Sequence, residues 1–215
     1  MIITIMLVII AVIAYCLGCI NGAIITSTKI FHKDIRQFGS GNAGLANFYR
    51  NFGVKGLAMV AGIDIAKGLA AAMIGGWLLG ITGDHAVIGK LFATFCMVLG
   101  HIYPAFYEFR GGKGILGGIA AVFWIDWRIG FICVIVFVIA VAFSRHISLG
   151  SILGCASFPI SMMVFEYSWL AVVLALLSTS IMLIRHIENM KRILNHTEPI
   201  FEFKKNIIHK LDKDF

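Results

Sequence analysis

Long runs of uncharged, apolar residues alternate with short polar segments along the whole chain. The first charged residue is Lys29, so residues 1–28 exceed the roughly 20 apolar residues that a membrane-spanning helix needs. We therefore predict an all-α, polytopic integral membrane helix bundle with seven transmembrane helices. The predicted spans cover residues 3–26, 56–80, 86–107, 114–125, 129–143, 149–165 and 168–184.

Residues 114–143 are the ambiguous part of this pattern. Their only charges are Asp126 and Arg128, so the segment fits either one long helix or two short ones. Loops with an excess of Lys and Arg stay on the cytoplasmic side of a membrane. With seven spans and the N-terminus outside, fifteen of the 18 Lys and Arg residues fall on one face. With six spans, Arg145 and the C-terminal basic residues would lie opposite the first two basic loops, so we favour seven.

Composition supports a membrane protein with one domain. The chain is 60% hydrophobic and 13% charged, about half the charge of a soluble domain. No linker or low-complexity tract divides it, so we expect a single domain over residues 1–215, with a polar cytoplasmic tail from about residue 193. The net charge of +7 has no soluble basic domain to carry it, which argues against nucleic acid as a partner. All five cysteines lie in apolar stretches, so we expect neither a disulfide nor a metal site.

The first polar segment, residues 39–50, is rich in glycine. Glycines allow successive backbone amides to turn toward one point, and such nests suit phosphate oxygens. The spacing also fits a dinucleotide fingerprint, but that fingerprint requires a preceding strand, whereas an apolar span precedes it here. We therefore predict a phosphate-binding loop, with a plain interfacial turn as the alternative.

A second polar segment, residues 100–114, places three glycines around Lys113 where a helix restarts. Exposed amides, a helix N-terminus and an ammonium group together favour an anion. The segment is not a Walker A motif, because the upstream glycine spacing and the following Ser or Thr are missing. The alternative is a loop whose lysine only sets the topology.

Two further polar segments, residues 144–148 and 185–192, share an Arg-His-Ile sequence. His186 and Asn189 are three apart, so they are neighbours if this segment is helical. Taken alone, either segment also fits a basic cluster at the membrane edge. Asp64 and Lys67 lie within the second span, where charges are costly and often functional, although the two also fit a structural ion pair.

These motifs together resemble those of the bacterial acyl-phosphate:glycerol-3-phosphate acyltransferases, the PlsY family. Residues 39–50 resemble its G-S-G-N-x-G-x-x-N…R motif, and residues 64–68 its D-x-x-K-G motif. Residues 100–114 match G-H-x-x-P-x-F…G-G-K-G, and residues 185–192 resemble R-H-x-x-N-x-x-R. The resemblance implies a multi-pass enzyme of the bacterial inner membrane whose active site faces the cytoplasm. It would transfer a fatty acyl group from acyl phosphate to the 1-hydroxyl of glycerol 3-phosphate, the first acylation of phospholipid biosynthesis.

The resemblance also implies the site residues. The products would be lysophosphatidic acid and phosphate, with membrane lipid around the enzyme, no cofactor and no obligatory protein partner. Asp64 and Lys67 would be structural or site-supporting. The catalytic residues implied are Ser40, Arg50, Lys113 and His186. The substrate-binding residues implied are Gly39, Gly41, Asn42, Asn47, His101, Gly111, Gly112, Gly114, Ser144, Arg145 and Asn189.

The chain departs from the family pattern at four positions. Ala46 stands where the family usually has threonine, and His196 replaces the glycine of L-x-G-T-E. Cys19 and Asn21 occupy what is commonly a G-S-I-P stretch. The main functional alternative is a transporter of a small phosphate-bearing or organic anion, which would place its site near the membrane midplane on broken helices.

Overall fold

The computed structural model describes residues 1–201, which contain ten α-helices and no β-strand. Residues 202–215, most of the predicted polar tail, lie outside the described residues. The helices are α1 (Ile2–Cys19), α2 (Gly22–Phe31), α3 (Leu45–Phe52), α4 (Leu57–Gly80), α5 (Ala86–Ile102), α6 (Ile115–Ile125), α7 (Trp127–Ser144), α8 (Ile147–Val164), α9 (Trp169–Ile184) and α10 (Ile187–Leu194).

Every predicted apolar stretch is largely helical. Within residues 1–201, five candidate spans are long and apolar enough to cross a membrane, the first of them Ile2–Phe31. A sixth is added if α9 and α10, bent by 53°, form one span. Helix α6 has only 11 residues, which at about 1.5 Å per residue is shorter than a hydrocarbon core of about 30 Å. The all-α prediction is therefore confirmed for residues 1–201, while the count of seven spans stays a prediction.

The ambiguous segment at residues 114–143 forms two helices that meet at Asp126. Its carboxylate accepts a hydrogen bond from the amide of Arg128 at 2.9 Å and so caps the start of α7. The same carboxylate pairs with the Arg128 guanidinium at 2.6 Å and accepts from the Tyr167 hydroxyl at 2.9 Å. This polar turn ends α6, and α7 then extends for 18 residues, longer than the 15 that the apolar stretch predicts.

The predicted span over residues 3–26 is not one continuous helix. Helix α1 ends at Cys19 and α2 begins at Gly22. Asn21 caps α2, because its side-chain oxygen accepts a hydrogen bond from the amide of Ile24 at 3.0 Å. The apolar pattern does not reveal this break, since Asn21 carries no charge and lies among mostly apolar residues.

Helix α5 lies at the centre of the bundle and packs against α1, α4, α6 and α9. Gly18 and Gly100 bring α1 and α5 into backbone contact: a Cβ on Gly18 would overlap the Met97 carbonyl, and one on Gly100 would overlap that of Tyr15. Many large apolar side chains, including Phe143, face outward, as expected for helices that contact lipid. This packing fixes the C-terminal end of α5, where the second polar segment begins.

Candidate active site

The first glycine-rich loop is held from within by Asn47, whose residue surface is only 2% exposed. Its side-chain amide donates to the carbonyls of Phe38 and Asn42, both at 3.0 Å, and its oxygen accepts from the amide of Ser40 at 3.2 Å. Asn51 donates to the same oxygen at 3.0 Å. The Asn47 side chain therefore organises the loop.

The loop presents Ser40 at its surface. Gly39 and Gly41 flank this serine with φ of 57° and 69°, a conformation that glycine adopts without strain. Gly41 donates its amide to Phe38 O at 3.0 Å, and the amide of Ser40 is used by Asn47. Two loop amides are thus already paired. The exposed residue Ser40 offers a hydroxyl, and Arg50, whose Nε donates to Ala46 O at 3.1 Å, offers a charge on α3.

The second loop follows α5 and leads into α6. The amides of Gly111 and Gly112 donate to the carbonyls of Ile102 and His101, each at 3.1 Å. These two amides therefore close the end of α5 and are not free for an anion, contrary to the sequence-based expectation of exposed glycine amides. Gly114 has φ of 81° and caps α6, whose first-turn amides have no partner within the helix.

The two glycine loops lie side by side. A Cβ on Gly112 would clash with His101 Nε2 and lie 2.5 Å from the carbonyl oxygen of Ala43 in the first loop. The same carbonyl accepts a hydrogen bond from the side chain of Asn21 at 3.2 Å. The break between α1 and α2 therefore supports the point where the loops meet, and Asn21 is one of the positions that depart from the PlsY pattern.

The other two segments reach this site through Asn189 and Glu198. Lys113 donates a hydrogen bond to the side-chain oxygen of Asn189. Asn189 in turn donates to Glu198 Oε1 at 2.7 Å, and the Ser148 hydroxyl donates to the same oxygen at 2.7 Å. Arg192 Nε donates to Glu198 Oε2, also at 2.7 Å. Glu198 thus joins α8, α10 and the chain after α10.

Ser144 and Arg145 form the turn between α7 and α8. The Ser144 hydroxyl donates to Ala140 O at 2.6 Å and accepts from the amide of His146 at 3.1 Å. Arg145 is exposed, has φ of 60°, and its carbonyl accepts from the amide of Phe201 at 2.7 Å. The structure therefore places the backbone of this turn against the C-terminal chain.

Four positive side chains surround the site, and we call them the cationic cluster. They are Arg50, Lys113, Arg185 and Arg192. Burial lowers the pKa of Lys113 to about 8; Glu198 opposes this shift, whereas the three arginines add to it. The Nε atom of Arg185 is buried and has no hydrogen-bond partner within residues 1–201. Such a cluster is suited to bind phosphate groups.

Among the residues that the structure describes, one carboxylate, that of Glu198, faces this cluster. Burial on its own would raise the pKa of Glu198, but hydrogen bonds from Ser148, Asn189 and Arg192 lower it below its usual value. Glu198 is therefore ionised near neutral pH. Its two oxygens accept hydrogen bonds from these three side chains, so Glu198 orders the site, and its charge also acts on Lys113.

The two histidines of the predicted site are both buried, at 2–3% exposure. His186 Nδ1 donates to Met182 O at 2.8 Å, which leaves Nε2 as the nitrogen that accepts a proton. The charge of Lys113 acts on the His186 ring, so the two are neighbours. His101 instead contacts Lys67, which is paired with Asp64 at 2.8 Å. No group of three His, Cys, Asp or Glu side chains within residues 1–201 is arranged to hold a metal ion.

The sequence model of the family described as glycerol-3-phosphate acyltransferase matches residues 8–196. The chain belongs to this family. A glycerol-3-phosphate acyltransferase of Thermoanaerobacter sp. (strain X514) is 37% identical to it over 188 residues, which cover 87% of this chain and 92% of that relative. One of Clostridioides difficile (strain 630) is also 37% identical, over 191 residues, covering 89% and 93%.

Solved structures show the same fold. The crystal structure of PlsY, an integral membrane glycerol 3-phosphate acyltransferase, in its glycerol 3-phosphate form has a TM-score of 0.81 and 30% identity, covering 91% of this chain and 96% of PlsY. Its lysophosphatidic acid form gives a TM-score of 0.79 and 28% identity, covering 91% and 95%. The resemblance to the PlsY family is confirmed, and the acyltransferase is an integral membrane protein.

Several residues of the acyltransferase's site were not predicted from the sequence. Arg185 and Arg192 lie within the R-H-x-x-N-x-x-R motif, but only the folded structure shows that they belong to the cationic cluster. Glu198 is six residues beyond Arg192, and only its hydrogen bonds show that it links the segments. His196, in the place of a family glycine, has φ of 55°, which explains why glycine suits that position.

Proposed function

We propose that the acyltransferase moves a fatty acyl group from acyl phosphate to the 1-hydroxyl of glycerol 3-phosphate. The bond between the hydroxyl oxygen and the acyl carbon forms, and the bond from that carbon to the phosphate oxygen breaks. The products are lysophosphatidic acid and inorganic phosphate. The family supports the acceptor, and the motif resemblance supports acyl phosphate as the donor.

The cationic cluster carries this proposal. Two phosphate-bearing substrates each bring a charge of roughly −1.5 to −2 near pH 7. Within residues 1–201, the four positive side chains of this cluster against the carboxylate of Glu198 leave an excess of positive charge that balances much of this. Hydrogen bonds to charged groups contribute about 1.5 to 3 kcal/mol each, enough to offset the repulsion of two phosphates held close together.

The individual roles follow from position. Lys113 and Arg50 hold phosphate groups, and the exposed Ser40 hydroxyl donates to a phosphate oxygen from the ordered first loop. Acyl phosphate is already activated, so holding the hydroxyl against the acyl carbon supplies much of the acceleration. The hydroxyl proton passes to His186 Nε2 or to a phosphate oxygen, and a His186→Gln variant separates these two routes.

The site lies at helix ends, and we place it at the boundary between water and lipid. Lys113 stands between α5 and α6, and Asn189 lies on α10. Apolar side chains cover the outer surface of the bundle, which suits a fatty chain that stays in the bilayer. We further propose seven spans with the N-terminus outside, because this puts fifteen of 18 basic residues on one face. The active site then faces the cytoplasm at the bacterial inner membrane.

Transport of a phosphate-bearing anion is the alternative. Broken helices such as α1 and α2 are typical of transporters, which bind cargo at the break. Here the charges at the break, Asp64 and Lys67, are paired with each other at 2.8 Å and lie deep in the bundle. This pairing favours a structural role for the break between α1 and α2, and it favours an enzyme over a transporter.

A direct assay tests the function and the donor. Purified protein is incubated with radiolabelled glycerol 3-phosphate and either palmitoyl phosphate or palmitoyl-coenzyme A, and lysophosphatidic acid is separated by chromatography. We expect product with palmitoyl phosphate alone, loss of product in Lys113→Ala, and retention in the matched variant Lys90→Ala. Product formed only with palmitoyl-coenzyme A would refute acyl phosphate as the donor. Accumulation of glycerol 3-phosphate in sealed vesicles without acylation would support transport instead.

A further inference from the structure

A buried polar cluster lies beside the break between α1 and α2. Lys67 Nζ is 2.7 Å from Ile20 O, 2.8 Å from Asp64 Oδ1 and 2.7 Å from His101 Nδ1. The side chains of Asp64, Lys67 and His101 are each at most 4% exposed. Asp64 also accepts from the amide of Gly22 at 3.3 Å, at the start of α2. The cluster therefore joins α1, α2, α4 and α5 away from solvent.

The contact with Lys67 determines which nitrogen of His101 carries the proton. An ammonium group has three donors and no acceptor, so Nδ1 of His101 accepts the hydrogen bond. The other contacts of Lys67 are to Ile20 O at 2.7 Å, Asp64 Oδ1 at 2.8 Å and Gly18 O at 3.3 Å, and all of these atoms accept as well. The neutral His101 ring thus carries its proton on Nε2.

This Nε2 atom faces the second glycine loop. A Cβ on Gly112 would clash with it and would lie 2.5 Å from Ala43 O in the first loop. Gly112 also donates its amide to His101 O at 3.1 Å. The His101 ring therefore packs against the residue that immediately precedes Lys113.

We propose that Lys67 and His101 are positioning residues, in which Lys67 fixes the His101 tautomer and the Nε2–H edge holds the loop that carries Lys113. This inference rests on the proposed function, because the effect is read through the phosphate contacts of Lys113. The resemblance implies that His101 binds substrate; we assign it instead an indirect role through Gly112, because its ring is buried and packs against that glycine. A misplacement of about 1 Å in a substrate-binding group costs about 100-fold in rate.

Two variants of His101 separate this role from simple packing, and both leave the Asp64–Lys67 pair intact. An asparagine amide reaches about as far as Nδ1, so His101→Asn keeps a partner for Lys67 and loses contact with the loop. A glutamine amide reaches about as far as Nε2, so His101→Gln keeps a polar group at the loop. If the cluster served only to hold the helices, Asn would be the better replacement.

We expect kcat/KM to fall only about fivefold in His101→Gln, as for a replacement of similar volume that keeps the contact with Gly112. In His101→Asn we expect a loss of about 100-fold, as for a misplaced binding group. The alkaline decline of kcat/KM should move above its wild-type position near pH 8 in His101→Asn, because a displaced Lys113 is less buried. The reverse order of activities, or equal activities, would overturn the proposal.

A matched histidine control is His85→Asn, since His85 is exposed at the opposite end of α5. It should keep wild-type activity and melting temperature. The role of Lys67 is tested with Lys67→Met, and Lys90→Met is its control. The double variant Lys67→Met with His101→Asn should lose no more activity than His101→Asn alone. If the fold-losses of the two single variants multiplied in the double variant, Lys67 and His101 would act independently, which would contradict the proposal.

The experiment also distinguishes failure of the proposed function. If the wild-type protein forms no lysophosphatidic acid, the assigned reaction is wrong, whatever the variants do. The positioning role is then measured as the rise in melting temperature that inorganic phosphate produces. We expect that rise in the wild type and in His101→Gln and its loss in His101→Asn, and the same rise in both variants would overturn the inference.

Discussion

Lys113 and Asn189 are 76 positions apart in the sequence, and the ammonium of the first donates a hydrogen bond to the amide oxygen of the second. The side-chain amide of Asn189 in turn donates a hydrogen bond to Glu198 Oε1 at 2.7 Å. The neutral amide therefore stands between the cation and the carboxylate. Lys113 is oriented through Glu198 without forming a salt bridge to it, which leaves its charge available for phosphate.

Asn189→Ala should remove this orientation. Lys113 loses an acceptor and Glu198 loses a donor, each a hydrogen bond to a charged group worth about 1.5 to 3 kcal/mol. We expect kcat/KM to fall by about 10- to 100-fold, measured with both substrates varied in turn. Asn195→Ala, at the exposed end of α10, is the control and should keep wild-type kinetics.

The activity should decline in alkaline solution because of Lys113. Its pKa of about 8 means that the free enzyme loses this positive charge as the pH rises through 8, so kcat/KM should fall above that pH. Bound phosphate favours the ammonium, so kcat should decline only at higher pH. In Lys113→Arg the guanidinium stays charged, and any residual activity should lack the decline near pH 8. An identical decline in this variant would assign the titration to another group.

Gly112→Ala should disable the site while the bundle stays folded. The added Cβ would clash with His101 Nε2 and approach Ala43 O, a backbone atom that has little freedom to move. We expect loss of most acyl transfer with little change in helix content by circular dichroism. The matched substitution is Gly62→Ala in α4, where a Cβ would meet nothing within 4 Å. That variant should stay active and gain about 0.5 to 1 kcal/mol of helix stability.

Glu198 should make the stability depend on acid pH. Because its pKa is lower in the folded protein, its ionised form stabilises the fold above the unfolded value of about 4.3. This contribution is lost as the pH falls through the folded value. Glu198→Gln should lower the melting temperature at pH 7, and the difference from wild type should shrink below pH 4. Glu188 lies in an exposed ion pair, and Glu188→Gln should leave the melting temperature unchanged both at pH 7 and below pH 4.

Asp126→Ala tests whether the opposite end of α6 affects only stability. The substitution removes the cap of α7 and the acceptor of Tyr167, with a cost of about 1 kcal/mol for the cap. Helix α6 separates Asp126 from Lys113 by about 16 Å, at 1.5 Å per residue over 11 residues. The melting temperature should fall while kcat/KM stays at the wild-type value. A changed kcat/KM would show coupling along α6.

The apolar pattern of residues 114–143 fitted either one helix or two, and the distribution of Lys and Arg favoured two. The structure has two helices, and the cap at Asp126 that separates α6 from α7 was not predicted. Asn21 is just as decisive for α1 and α2, but it lies among uncharged residues. Its partners, Ala43 and the amide of Ile24, are supplied partly by a distant loop, so no local pattern reveals the break.

The site was predictable as a set of segments, and less so as contacts. The glycine loops, Lys113 and Asn189 do converge. The amides of Gly111 and Gly112, however, pair with α5, because the end of a helix supplies carbonyls that sequence spacing does not show. The role of Glu198 depends on three donors from three places in the chain, which only the folded protein brings together.

The position of Glu198 near the end of the described chain has a consequence for biosynthesis. A ribosome makes Ser40 and Lys113 long before it reaches residue 198, so the two glycine loops are made before the carboxylate that orders Asn189 and Arg192. A growing chain that has not yet reached residue 198 therefore carries both glycine loops without this carboxylate, so the chain of hydrogen bonds from Lys113 through Asn189 to Glu198 cannot yet form.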